Sequence, residues 1–337
     1  MEIGRRGFLH LAGSGIVAWP LSARSQPGSN LPIVAVLLPN SLDFAKLRVD
    51  AIRKGLAEAG LVEDTHYVIA LRFADGQMDR YPGLARGLQS LNPAVFVVSG
   101  SLAVVRHLEP TTPAVFTGVA MDPVQRGFAQ SYARPGGMVT GNVLNALGGE
   151  DTVAEKRISL FKELVPSLTR LGMFGPSMIG DVIGILFEKE IAAGVRVASR
   201  LGFETRAYRL KTIDDLEGAI AAAVHDGIDG IYLSGEPLLI NNLSRALPLI
   251  MEAGKPSLGT YVEWARQGVL MTYASDLLDS YRRAGIYAGK IIQGTKPGDL
   301  PIEQPTKFTL AINARTAKQL GISIPAALQT AADELIE

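Results

Sequence analysis

Short apolar runs alternate with stretches of helical spacing along almost the whole chain, and this alternation constrains the fold more than any other feature. Ile33–Leu38 is a near-continuous apolar run, as expected of a strand covered on both faces. Phe44, Leu47, Ala51, Ile52, Leu56 and Ala59 then recur at helical intervals up to Gly60, a helix with its C-terminal stop. The same pairing predicts strands at Val68–Phe73, Val95–Val98 and Ala114–Phe116, with a helix over 79–91 and others opening after Ser101 and over 123–132. It predicts further strands at Leu171–Phe174, Glu204–Leu210, Gly230–Leu233, near Ser257 and at Phe308–Ile312. Helices are expected over 152–164, 181–201, 276–294 and Arg315–Leu320, around Leu216, Ile220 and Val224, and in the stretch ending at Ala253. Repeated βα units with buried strands imply parallel sheets with helices on both faces. A glycine-rich passage at 135–149 interrupts the pattern, so the reading is two α/β lobes.

Residues 1–25 do not share this pattern. Arg5-Arg6 precedes Phe8-Leu9, a weakly apolar stretch runs from Leu11 to Leu21, and Ala23-Arg24-Ser25 supplies small residues before Gln26. These are the parts of an export signal, and the paired arginines with low hydrophobicity point to the twin-arginine route. Leu11–Leu21 is too short to span a bilayer, which needs roughly 20 apolar residues. Gly13-Ser14-Gly15-Ile16-Val17-Ala18 fits a dinucleotide fingerprint, but it lies inside the signal without the strand and helix the fingerprint needs. Cleavage near Ser25 would place the protein in the periplasm.

Composition narrows the function. The chain of 337 residues carries 33 basic and 33 acidic groups. The signal holds Arg5, Arg6, Arg24 and Glu2, which leaves 30 basic and 32 acidic groups in the remainder. Nucleic-acid binding would require a basic surplus, so no nucleic-acid partner is expected. With no Cys in the chain, thiolate chemistry and cysteine metal sites are excluded. His66, His107 and His225 do not pair at metal-ligand spacing. There is no G-x-S-x-G elbow, and Gly285–Lys290 only approximates a phosphate loop within a helix. No metal, no cofactor and no catalytic residues are therefore assigned.

In open α/β sheets ligands bind beyond the carboxyl ends of the strands, and two facing lobes make the cleft between them the natural site. The strand-end loops carry Asn40, Ser41, Ser99, Ser101, Thr117, Asp122, Ser177, Ser234, Glu236, Tyr261, Glu263, Tyr273 and Asp276. Ser99-Gly100-Ser101 before a helix suits an anion such as a carboxylate, or plain N-capping. Asp122, Glu236 and Asp276 could hold an ammonium group, while Asp122-Pro123 also fits a turn or cap. Tyr261 and Tyr273 could stack on a ring or pack in the core.

Several stretches resemble one family. They are Asp122-Pro123-Val124 with Gly127-Phe128; Ala133-Arg134-Pro135-Gly136-Gly137 with Thr140-Gly141; Lys162-Glu163-Leu164-Val165-Pro166; and Tyr281-Arg282-Arg283-Ala284. The C-terminal block adds Lys296-Pro297, Leu300-Pro301, Glu303-Gln304-Pro305-Thr306-Lys307-Phe308 and Ile312-Asn313 with Thr316-Ala317-Lys318. Together they resemble the substrate-binding proteins of ABC transporters, in the family whose best-understood relatives bind aromatic amino acids.

The resemblance implies a type I periplasmic-binding fold, α/β with two Rossmann-like lobes and a ligand cleft at a multi-segment hinge. It implies an N-terminal lobe of 31–143 plus about 273–302, and a C-terminal lobe of 144–272 plus about 303–337. It also implies a monomer that hands a small-molecule ligand, such as an aromatic or other amino acid, to a membrane permease and performs no catalysis. The ligand residues implied are Asn40, Ser41, Ser99, Gly100, Ser101, Thr117, Gly118, Asp122, Ser177, Ser234, Glu236, Tyr261, Tyr273 and Asp276. At Ala274-Ser275 the chain departs from the commoner pattern. An exported enzyme using a carboxylate pair such as Glu236 and Asp276, and a sensor for a membrane receptor, are the alternatives.

Overall fold

A computed structural model describes residues 31–39, 42–144, 150–177 and 184–337. The export signal expected from the sequence falls within residues 1–30, which lie outside the described residues. No helix among the described residues is long and apolar enough to cross a membrane.

The first sheet contains β1 (Ile33–Leu38), β2 (Val68–Phe73), β3 (Val95–Ser99), β4 (Ala114–Val119) and β5 (Val139–Val143). Its order is β2-β1-β3-β4-β5 and every pairing is parallel. Side chains alternate across it. Val34, Val36 and Leu38 pack toward helices Leu42–Glu58 and Leu277–Ile292, while Ala35 and Leu37 face helix Tyr81–Gln89. Coverage of both faces is why β1 reads as one unbroken apolar run.

The second sheet contains β6 (Arg170–Pro176), β7 (Glu204–Leu210), β8 (Gly230–Leu233), β9 (Ser257–Gly259), β10 (Met271–Ser275), β11 (Phe308–Asn313) and β12 (Glu334–Ile336). Its order is β12-β11-β10-β9-β8-β6-β7. The β10–β11 pair is antiparallel and the other pairs are parallel. One face packs Phe161, Leu164 and Phe187, and the other packs Leu216, Ile220 and Trp264.

The chain passes between the sheets after β5, after β10 and before β11. Ser275 Oγ donates to the Leu144 carbonyl at 2.9 Å, and Val143 N–H donates to the Glu303 carbonyl at 3.0 Å. The connecting strands are thus laced to one another. Helix Leu277–Ile292 follows β10 of the second sheet but packs on the first. Its partner is helix Leu42–Glu58, and the approach is so close that a Cβ on Gly55 would collide with the Arg282 carbonyl.

Three expectations need correction. Residues 123–132 are a turn followed by bends and irregular backbone rather than a helix: Asp122 Oδ1 accepts from the N–H groups of Val124 and Gln125 at 2.8 and 3.1 Å, and that closes a tight turn. The segment after Ser101 is a short 3-10 helix, Leu102–His107, to which Ser101 contributes no side-chain cap. The glycine-rich passage contains strand β5. Its Gly141 gives no strand signal, but pairing with β4 decides its conformation.

Candidate functional site

A cavity of about 290 Å³ lies between the two sheets. Pro39, Ser99, Gly100, Ser101 and Gly118 reach it from the carboxyl ends of β1, β3 and β4. Pro176, Lys211, Gly235 and Glu236 reach it from the ends of β6, β7 and β8. Tyr261 enters after β9, and Leu277 and Tyr281 come from the helix that follows β10. The cavity therefore sits where two doubly wound sheets present their strand ends to each other. Much of the remaining wall is apolar, from Met78, Met121, Leu144, Leu186, Leu238 and Ile240. An apolar wall with a few fixed polar groups is the usual form of a small-molecule site.

On the first-sheet side the polar groups are locked. The hydroxyls of Ser99 and Tyr281 are 2.5 Å apart, and Tyr81 donates to the Ser99 carbonyl at 2.7 Å. Burial raises the Tyr81 phenol well above its ordinary range, so it stays a donor. Gly118 sits at φ +63°, and a Cβ there would lie 3.0 Å from Ser99 Oγ and 3.3 Å from the Tyr281 hydroxyl. Glycine at this position gives the turn its left-handed backbone and leaves room for the hydroxyl pair. Arg48, on helix Leu42–Glu58, brings its guanidinium to 5.9 Å from the Tyr281 ring centre.

On the second-sheet side Glu236 is nearly buried. Its Oε1 accepts from the N–H groups of Leu186 and Phe187 at 3.1 and 3.3 Å. The carboxylate thereby satisfies backbone donors at the start of helix Ile185–Leu201, at the positive end of its dipole. Tyr261 donates to the Gly235 carbonyl at 3.0 Å and leans on Trp264 at a centroid distance of 5.2 Å.

The structure brings Ser99, Gly100, Ser101, Gly118, Glu236 and Tyr261 together on this wall. Asn40 and Ser41 lie outside the described residues. The other residues expected from the sequence stand off the wall. Thr117 is fully buried, donating to Asn142 Oδ1 at 3.0 Å. Asp122 closes its turn. Ser177 extends β6, its N–H on the Leu210 carbonyl at 2.7 Å. Ser234 is buried. Tyr273 stacks on Phe308 at 5.5 Å, and Asp276 caps its helix by accepting from Asp279 N–H at 2.9 Å.

Arg48, Lys211 and Tyr281 were missed, together with most of the apolar wall. Arg48 and Tyr281 lie inside helices, where only packing reveals which residues turn toward the cleft. Lys211 directly follows β7, so its strand-end position was a readable signal.

Residues 33–336 match the family model described as ABC transporter substrate binding protein. A tyrosine-binding protein of Clostridioides difficile (strain R20291) is 22% identical over 299 residues, covering 88% of this chain and 82% of the relative. A conserved domain protein from Vibrio cholerae superposes with a TM-score of 0.79 at 22% identity, over 90% of this chain and 99% of its own. An ABC domain from Streptococcus pneumonia in complex with L-Trp superposes at 0.77 with 19% identity, over 91% of this chain and all of its own (100%).

Proposed function

The chain belongs to the ABC transporter substrate binding protein family, and from that premise we propose that it captures an aromatic amino acid in the cleft between its lobes and delivers it, chemically unchanged, to a membrane permease. One observation carries the reading: a cavity of about 290 Å³ lined from both sheets, mostly apolar, with Arg48 and the Ser99-Gly100-Ser101 turn at one side and Glu236 at the other. That size is at the low end for small-molecule pockets, roughly 300–1,000 Å³, and suits a ligand with one ring and a short polar end. Arg48 and the serine turn answer a carboxylate, and Glu236 answers an amine. The names of two relatives, one binding tyrosine and one holding L-Trp, favour the same ligand class. In this reading the chain is exported by its N-terminal signal and acts as a monomer. The passages after β5, after β10 and before β11 form the hinge. The lobes are 31–143 plus about 273–302 and 144–272 plus about 303–337.

Thermal-shift and calorimetric titration with L-Tyr, L-Trp, L-Phe and aliphatic amino acids tests the proposal. An aromatic ligand is expected to raise the melting temperature, because a ligand that binds only the folded state stabilises it by mass action. No shift with any of the three aromatic acids would eliminate that class.

A further inference from the structure

A second, smaller chamber of about 30 Å³ adjoins the main cavity and shares Leu144, Leu186, Gly235, Tyr261 and Leu277 with it. Its character differs. Arg157 and Glu190 line it, both almost wholly buried, with Nη1 and Oε1 3.9 Å apart. Arg157 is held in place by the Tyr232 hydroxyl at 2.7 Å and the Tyr273 carbonyl at 2.8 Å. Glu190 Oε1 accepts from Gly235 N–H at 3.4 Å. Thr260 also lines the chamber; it is 6% exposed, and its Oγ1 is buried with no hydrogen-bond partner among the described residues.

A buried hydroxyl without a partner is unfavourable, and native structures rarely keep one. The volume admits one hydroxyl-sized group and excludes a ring. The walls shared with the main cavity are largely apolar, which suits a hydrocarbon body leading to a polar tip. We propose that this chamber is a subsite for a single hydroxyl at the far end of the ligand's ring. That hydroxyl accepts from Thr260 Oγ1 and donates to the Glu190 carboxylate. The proposal rests on the aromatic-ligand reading above and sharpens it, since it selects a phenolic over an unsubstituted ring.

The test is calorimetric titration of the full chain with L-Tyr, L-Phe and L-Trp, before and after Thr260→Val, a change close in shape that removes the hydroxyl. In the unaltered protein L-Tyr is expected to bind at least about 10-fold more tightly than L-Phe, the effect of one well-made buried hydrogen bond. Thr260→Val is expected to remove most of that advantage, with circular dichroism reporting that the fold persists. Equal affinity for L-Tyr and L-Phe in the unaltered protein overturns the subsite without any variant. A ratio that survives Thr260→Val also overturns it and is the result expected if the chamber holds an ordered water only. Both results leave aromatic binding intact, whereas failure of all three acids to bind overturns the broader reading and the subsite with it.

Discussion

The Tyr281 hydroxyl lies 2.5 Å from Ser99 Oγ, joining a helix that follows the second sheet to the end of a central strand of the first. Both groups are buried, and both line the cleft. Tyr281→Phe should leave Ser99 Oγ without this partner, costing about 1–3 kcal/mol. Thermal denaturation should show a fall of a few degrees; an unchanged midpoint would mean that the contact contributes little.

Arg48 lines the cleft with the serine turn, its guanidinium 5.9 Å from the Tyr281 ring centre. Arg48→Met keeps much of the stem that packs beside Tyr281 and removes the charge. If the guanidinium holds the ligand's carboxylate, affinity for an amino acid should fall at least about 10-fold, the weight of a charge-assisted hydrogen bond. Titration that finds equal affinity would move the carboxylate elsewhere in the cleft.

Glu236 joins the site to the second lobe's fold by capping helix Ile185–Leu201. Glu236→Ala should cost about 0.5–2 kcal/mol through lost capping alone. It should also weaken binding of amino acids more than that of their des-amino analogues. Paired chemical denaturation and titration separate the two effects.

Gly55 lets two helices of the first lobe approach backbone to backbone. Gly55→Val should force them apart and cost about 1–3 kcal/mol or more. Urea unfolding would register this as a lower midpoint, and a variant as stable as the parent would show that the helices can separate freely.

Asp279 sits between Arg282 and Arg283 beside the connecting strands. Burial pushes its carboxyl up, but hydrogen bonds and charge from Arg283 and Arg282 outweigh burial and hold it below its ordinary value of 3.8. A carboxyl whose folded value is depressed contributes stability above its unfolded value, and that contribution fades as pH falls through the folded one. The group is about one-third exposed, so solvent screening keeps the effect near 1 kcal/mol or less. Stability of Asp279→Asn relative to the parent should therefore be lowest near neutrality and recover below about pH 4. A difference independent of pH, followed by denaturant melts between pH 2 and 7, would remove this role.

Strand-by-strand, most of the fold was legible. Ile33–Leu38 and Gly230–Leu233 are strands with the same bounds as their sequence patterns, because near-complete burial leaves a continuous apolar signature; Glu204–Leu210 also keeps its bounds, although it is an edge strand and mostly not buried. Segments with a weaker local signal were not legible. The helix expected over 123–132 does not form, because Asp122 takes the first two free N–H groups into a turn. Strand β5 exists because β4 supplies its hydrogen bonds. The strand-end rule pointed to Ser99, Gly100, Ser101, Glu236 and Tyr261, and the resemblance added Gly118; all six line the cavity, since they follow directly from where strands stop. The same rule could not tell that Thr117 and Ser234 are buried or that Tyr273 is half-buried against Phe308, off the cavity wall. On a strand, one residue's difference in register exchanges the buried and the open face.

The sequence by itself determined the alternating α/β architecture, the two lobes and the family, because each rests on local periodicity or on short contiguous motifs. Tertiary structure alone decided which polar side chains face the cleft. Arg48 and Tyr281 come together on the cavity wall from positions more than 200 residues apart, and Thr260 meets Arg157 and Glu190 in the chamber beside it. Helix packing sets these meetings through close approaches such as that at Gly55, and no window of sequence contains both partners.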